Sequence, residues 1–397
     1  MKKLIALTFA MLFLGAGIAS ATDFSLTGSY YARGSYYDNM SGQGTDVETF
    51  GAYDHELSVD AKWQIDDTTK VFARFEMADE TWGTGNINEI NAAPNVDDNI
   101  YLEQVWGAHT FGNGGTLTVG KMSAGAWGTA FHDAGDEAYR VKWVQPTAIG
   151  TIIGILHKDD NGESGSTVIG EDEDDDAYIL AMVTKIGDIN VKPLVAYVMF
   201  ESNTPAADNV LTRGMLSFDG VFGNVGFEGE FDVFDMNRSA GFQDYTTWGA
   251  YLNVWMNADA LKFGILGAYG SYDDDSGAGF DFGDDFEAGG ALIMGDDATF
   301  FGGNDLTAGT LLALYADYAV SDQLSIGGYL GYATCNVDNN GPWDGADIYE
   351  ISADVSYKIT PNLTYKVAAG FAQLGWGDTT PDPDSAMELY HKLSFSF

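Results

Sequence analysis

The chain has one cysteine, few prolines and few bases, and each scarcity removes a class of protein. Cys335 stands alone, so no intramolecular disulfide can staple the fold. Eight prolines in 397 residues leave long stretches free to form regular hydrogen-bonded structure. Only 18 Lys and Arg face 59 Asp and Glu, a formal net charge of −41, which excludes a nucleic-acid binder. The five histidines form no metal-ligand pair at helical spacing, and no G-x-S-x-G motif occurs, so no enzyme chemistry and no cofactor are expected. The one long apolar run, 4–18, is shorter than the roughly 20 residues of a membrane-spanning helix. It follows Lys2 and Lys3 and closes on Ala19-Ser20-Ala21, so residues 1–21 read as a cleaved export signal and 22–397 as one exported domain.

What is present is apolar and periodic. Hydrophobic residues make up 45% of the chain and aromatics 14%, with 50 Gly and 21 Tyr, which is too apolar for disorder. Leu57, Val59, Ala61, Trp63 and Ile65 alternate with Ser58, Asp60, Lys62 and Gln64. After the turn Asp66-Asp67-Thr68-Thr69, Val71, Ala73, Phe75 and Met77 alternate with Lys70, Phe72, Arg74 and Glu76. A period of two gives each strand an apolar face and a mostly charged one. The same code returns at 225–233 and 349–358.

Strand pairs are expected at 56–77, 100–121, 139–157, 177–200, 210–235, 245–272, 306–334 and 348–376. Their short turns fall near Asp67, Asn113, Thr147, Gly187, Gly223, Asp259, Asp322 and Pro361. With a first strand at 24–37 and a last at 386–397 the total is about 18, sixteen remaining possible. The long Gly-, Asp- and Asn-rich segments all fall at the other end of the strands. Strands of about 9 to 13 residues are long enough to cross a bilayer when tilted, whereas sandwich strands average about 5 to 6. The pattern therefore predicts an all-β, transmembrane, antiparallel up-and-down barrel with short periplasmic turns and long extracellular loops. Four stretches fit no face assignment: 149–156, 177–185 and 211–218 carry apolar residues on both parities, and Glu103 is adjacent to Gln104 in 100–111.

The third long segment, 122–138, is longer than a hairpin needs, and such connections are usually functional or disordered. It carries Asp133, Asp136 and Glu137, and Arg140 and Lys142 follow at once.

Two motifs carry a family resemblance. The last strand, Leu389-Tyr390-His391-Lys392-Leu393-Ser394-Phe395-Ser396-Phe397, resembles the C-terminal signal by which outer-membrane barrels are recognised, with Leu389, Leu393, Phe395 and Phe397 as its apolar series and His391 as a departure. Gly115-Thr116-Leu117-Thr118-Val119-Gly120-Lys121 resembles the fifth-strand motif G-x-L-x-x-G-R of the Gram-negative general porins, with Gly107, the Tyr139-Arg140 pair, Pro146 and Gly150 at matching places. The resemblance implies a homotrimer, recognition by the barrel assembly machinery, and a third loop folded into the lumen. On that reading Asp133, Asp136 and Glu137 form the acidic side of a pore constriction, and Arg140, Lys142, Arg74 and Lys62 the basic side. The family's fourth-strand Arg is absent, Leu102 taking its place.

Inward-facing Glu56, Asp60, Glu76, Glu228, Glu230, Asp232, Glu350 and Asp354 predict a weak to moderate cation preference. The acidic outer loops 171–176 and 273–285 suit loosely bound divalent cations bridging to lipopolysaccharide, and Asn336 to Asp347 is a weak match to a calcium loop. The expected function is passive diffusion of ions and small hydrophilic solutes through the bacterial outer membrane. A substrate-selective porin is the alternative, and a non-conducting adhesin or receptor barrel the reading from another class.

Overall fold

The computed structural model describes residues 23–38, 50–82, 100–123, 125, 127–132, 137–161, 174–200, 209–239, 241–282, 286, 290–294, 308–337, 344–375 and 385–397. The expected export signal, Asp133, Asp136, Asp284, Asp285 and much of the 336–347 loop lie outside the described residues.

The alternation becomes strands β1 (Asp23–Asp38), β2 (Phe50–Gln64), β3 (Thr69–Thr81), β4 (Ile100–Thr110), β5 (Thr116–Ser123), β6 (Glu137–Thr147), β7 (Gly150–Asn161), β8 (Asp174–Ile186), β9 (Ile189–Phe200), β10 (Asn209–Phe222), β11 (Val225–Asn237), β12 (Tyr245–Ala258) and β13 (Leu261–Gly270). A two-rung ladder, β14 (Tyr272–Asp273) with β15 (Ala278–Gly279), lies within one long connection. The wall resumes with β16 (Gly309–Ala319), β17 (Leu324–Cys335), β18 (Asp347–Thr360), β19 (Leu363–Gly375) and β20 (Ala386–Ser396). Eighteen strands form one sheet, every neighbour antiparallel and next in sequence, and β20 pairs with β1 to close it. Gly28 and Phe397 exchange backbone hydrogen bonds of 2.9 and 3.0 Å across that seam. Closure leaves no edge for other chains to extend.

The short turns lie where expected. At the β2–β3 turn the Asp66 carboxylate accepts from both the Thr68 N–H (2.8 Å) and its hydroxyl (2.7 Å). Gly187 and Gly223 hold φ of 63° in two-residue turns, a left-handed conformation that costs a side-chain-bearing residue about 1 kcal/mol or more.

The two faces of the wall differ in kind. In β16, Leu312 is 54% exposed on the outside while its neighbour Leu311 is 1% exposed on the inside. A wall that exposes Leu312, Leu314, Leu330, Ile351 and Val195 outward is built to meet acyl chains. The adjacent Glu103 and Gln104 are reconciled by a bulge: the β3–β4 register slips between Arg74 and Phe75, leaving Glu103 as the extra residue. A bulge lets two consecutive side chains serve one face, and Glu103 reaches Arg74 at 3.6 Å. Leu389 and Phe395 of β20, and Phe397 just after it, are exposed on the outer face. His391, which interrupts the apolar series, lies edge-on against the Tyr53 ring at 5.6 Å.

Candidate pore lining

An inner wall that is apolar in water must be covered, and two long connections cover it. The inner residues Ala181, Leu194, Ala196 and Met215 of β8–β10 are buried with Trp127 of the β5–β6 connection packed on them. This explains the stretches with apolar residues on both faces: one face meets lipid and the other meets a loop inside the barrel. The Ser217 hydroxyl donates to the Trp127 carbonyl at 3.0 Å, and the Thr129 N–H donates to the Glu230 carboxylate. A Cβ on Gly128 would strike that carboxylate, so glycine is what lets the loop backbone reach the wall. Phe131 of the same segment is fully buried.

The connection between β13 and β16 also turns inward, a departure from its reading as a purely external acidic loop. Phe280, Phe282, Phe286, Ala291, Ile293 and Met294 are buried against Leu266, Leu311, Tyr329, Ile348 and Leu374 of the wall. Burying each large side chain contributes about 1.5–3 kcal/mol, a gain that an acidic loop spread in water would forgo. Glu350 of β18 accepts the N–H groups of Leu292, Ile293 and Met294 at 2.6, 3.1 and 2.7 Å. The inner aromatics Tyr251, Tyr315 and Tyr329 belong to this core.

Outside that core, the inner face along β19–β20–β1–β2–β3 carries charged side chains. Arg33 pairs in register with Lys392, and Lys392 with Lys366, so three cations stand directly across three strands. Like charges in that relation are destabilising. Asp54 holds Arg33 at 2.9 Å and Asp354 approaches Lys366 at 3.8 Å, while Lys392 lies over the Tyr31 ring at 3.8 Å. Nearby, Phe72 stacks on Trp106 at 5.0 Å with Lys70 at 5.4 Å from the Trp106 ring.

The expected constriction residues are distributed among these parts. Arg140 is only 4% exposed and its guanidinium donates to the Met122 carbonyl, bracing the root of the inward loop. Lys142 sits over Trp127 at 5.2 Å. Glu137 accepts from Gln104 at 3.2 Å. Arg74 is bonded to Asp60 at 2.7 and 3.2 Å, and Lys62 is exposed on the same inner face. Of the acids expected to attract cations, Glu230, Asp232 and Glu350 are buried; Asp232 pairs with Arg213 at 3.1 Å, and the other two hold loop backbone. Sequence reasoning missed Arg33, Lys366 and Lys392 as one group, because their alignment depends on the closing register of β20 on β1. Among the described residues no group of three His, Cys, Asp or Glu is placed to hold a metal.

No family model matches the chain and no curated protein matches it significantly. Solved structures do. A BenF-like porin from Pseudomonas fluorescens Pf-5 superposes with a TM-score of 0.63 at 11% identity, covering 95% of this chain and 99% of that one. Pseudomonas aeruginosa OccK9 (OpdG) gives 0.62 at 12% identity, with coverage of 95% and 99%. Pseudomonas aeruginosa OccK2 (OpdF), solved in complex with glucuronate, gives 0.59 at 10% identity, with coverage of 94% and 98%. Closure of eighteen antiparallel strands, an apolar outer belt, inward loops and full-length superposition lead to one conclusion: the chain has the fold of the bacterial outer-membrane porins.

Proposed function

We propose that the protein is a passive channel for small hydrophilic solutes that favours solutes carrying a carboxylate. The observation behind this reading is the in-register row Arg33, Lys392 and Lys366 on the inner face of β1, β20 and β19. Two of these cations meet Asp54 and Asp354, and the row gathers three cations in confined water, where charges are screened less than at an open surface. The glucuronate bound to OccK2 is itself a carboxylate, which supports the same class here.

The small-ion current is a separate matter. With a net charge of −41 and inward carboxylates such as Glu56 and Glu228, which accept hydrogen bonds from Ser58, Tyr251 and Asn253, it leans towards cations. Assembly as a homotrimer follows from the general-porin resemblance. Swelling of proteoliposomes in glucuronate and in a neutral sugar of similar size tests the solute preference: faster entry of glucuronate is expected, and equal or slower entry removes it. A reversal potential on the anion side of a KCl gradient would remove the cation preference.

A further inference from the structure

Among the described strand residues, bases face the lumen with two exceptions. The register turns Lys121 of β5 and Lys158 of β7 outward and sets both directly beside Tyr139 of β6, which is 63% exposed. Both lysines stand where their strands run into long connections, the extracellular end of the wall. A base on a lipid-facing wall carries its charge to the head-group level. Lys121 donates to the Tyr101 hydroxyl at 2.5 Å, and Lys158 meets Asp176 at 3.3 Å. An ammonium has three donors and can bind more than one acceptor at once. The two lysines are two strand spacings apart, about 9.5 Å at the backbone, a span that their long side chains can close on one anion lying over Tyr139.

The outer face is hollow beneath this row. A recess of about 360 Å³ bounded by Tyr139, Lys158 and Asp176 shares Val141, Leu156 and Tyr178 with an apolar groove of about 500 Å³. Gly154 lies in that groove, across from Trp143 on one side and Leu180 on the other. Nothing in the barrel requires glycine there: an added Cβ would meet no atom within 4 Å, and the φ of Gly154 is not positive. Glycine inside a strand weakens it, so what Gly154 contributes is the space itself.

We infer that this face binds one lipopolysaccharide molecule, with a lipid A phosphate held between Lys121 and Lys158 and an acyl chain laid in the groove over Gly154. The cation pair matches the phosphate, the apolar lining matches the chain, and their place at the extracellular end matches the outer leaflet. Direct contact through lysines needs no metal, unlike bridging from acidic loops through divalent cations. The site is on the outside of the barrel and does not depend on what the lumen passes.

The test is titration of the full chain in detergent with purified lipid A, in EDTA, read by native mass spectrometry. Each variant is first checked for the heat-dependent gel migration of a folded barrel. The unmodified protein is expected to bind one lipid A. Lys121→Met with Lys158→Met should bind about 30-fold more weakly, at about five-fold for each membrane-proximal lysine. Gly154→Leu, which fills the groove and leaves both lysines in place, should bind roughly ten-fold more weakly, the loss of about two buried methylenes. If the double variant does not fold, Lys158→Gln alone replaces it, with a loss of about five-fold expected. Unchanged affinity in the folded lysine variants would overturn the inference, as would equal affinity for dephosphorylated lipid A. Equal affinity for phosphatidylglycerol would make the occupant an ordinary phospholipid and overturn lipopolysaccharide. Absence of binding by the unmodified protein in EDTA would overturn the direct contact.

Discussion

Lys392→Met isolates the charge of the lumen row. The substitution keeps the length and apolar stem of the side chain and removes the middle cation, leaving Arg33 with Asp54 and Lys366 with Asp354. The row then carries two cations in place of three. A solute carboxylate about 4 Å from an ammonium gains about 1 kcal/mol in bulk water and about 4 kcal/mol at an effective dielectric constant near 20. A water-filled but confined wall lies towards the lower end, so the variant should lose about 1–2 kcal/mol, roughly a 5- to 30-fold rise in the glucuronate concentration that half-blocks the current. The block should also weaken with KCl, because the screening length shrinks from about 10 Å at 0.1 M to about 3 Å at 1 M. Folding should respond in the opposite direction: relieving like charges across paired strands stabilises the barrel by about 0.2–1 kcal/mol, read as a small rise in unfolding midpoint. Unchanged block in K392M, or block insensitive to salt, would refute the reasoning.

Gly128→Val places a side chain against the Glu230 carboxylate and should detach the β5–β6 segment, raising conductance while the barrel still folds; unchanged conductance would show that this segment does not narrow the pore. Leu312→Arg puts a charge on the mid-wall outer face and should destabilise by about 2–4 kcal/mol, measured by denaturant unfolding in lipid; a neutral result would mean that this face does not meet acyl chains. At the exposed β2–β3 turn, the Thr68 hydroxyl first and its N–H second hold Asp66 below the ordinary carboxylate range. Because the folded value is lowered, its contribution is present above the unfolded value and lost as pH falls through the folded one. Asp66→Ala should therefore flatten that acidic part of a stability–pH curve, and an unaltered curve would contradict the sign.

The barrel was legible because a strand with lipid on one side and water on the other writes its fold as a period of two. β2 and β3 state it residue by residue, and the eight short turns mark the strand ends. Legibility failed wherever a third layer entered. Ala181 and Met215 read as misplaced apolar residues until Trp127 covered them. Glu230 and Glu350 read as pore charge, since parity reveals the face and not the backbone N–H groups that arrive from residues about 60 to 100 positions away. The inward turn of the β13–β16 connection has a signal in hindsight: Phe280, Phe282, Phe286, Leu292 and Ile293 lie among its aspartates, an apolar set that an external loop has no use for. Arg33, Lys366 and Lys392 needed the closing register, which no local pattern encodes. Glu103 and Gln104 fitted no face assignment because parity assumes an unbroken register, and the bulge at Glu103 breaks it.

The most direct test of the whole account is single-channel recording of the unmodified protein in a planar bilayer under a KCl gradient, before and after glucuronate. Discrete conductance steps, a reversal potential on the cation side and a current reduced by glucuronate are predicted. Folded protein that gives no steps would contradict the account and leave the barrel as a non-conducting receptor or adhesin.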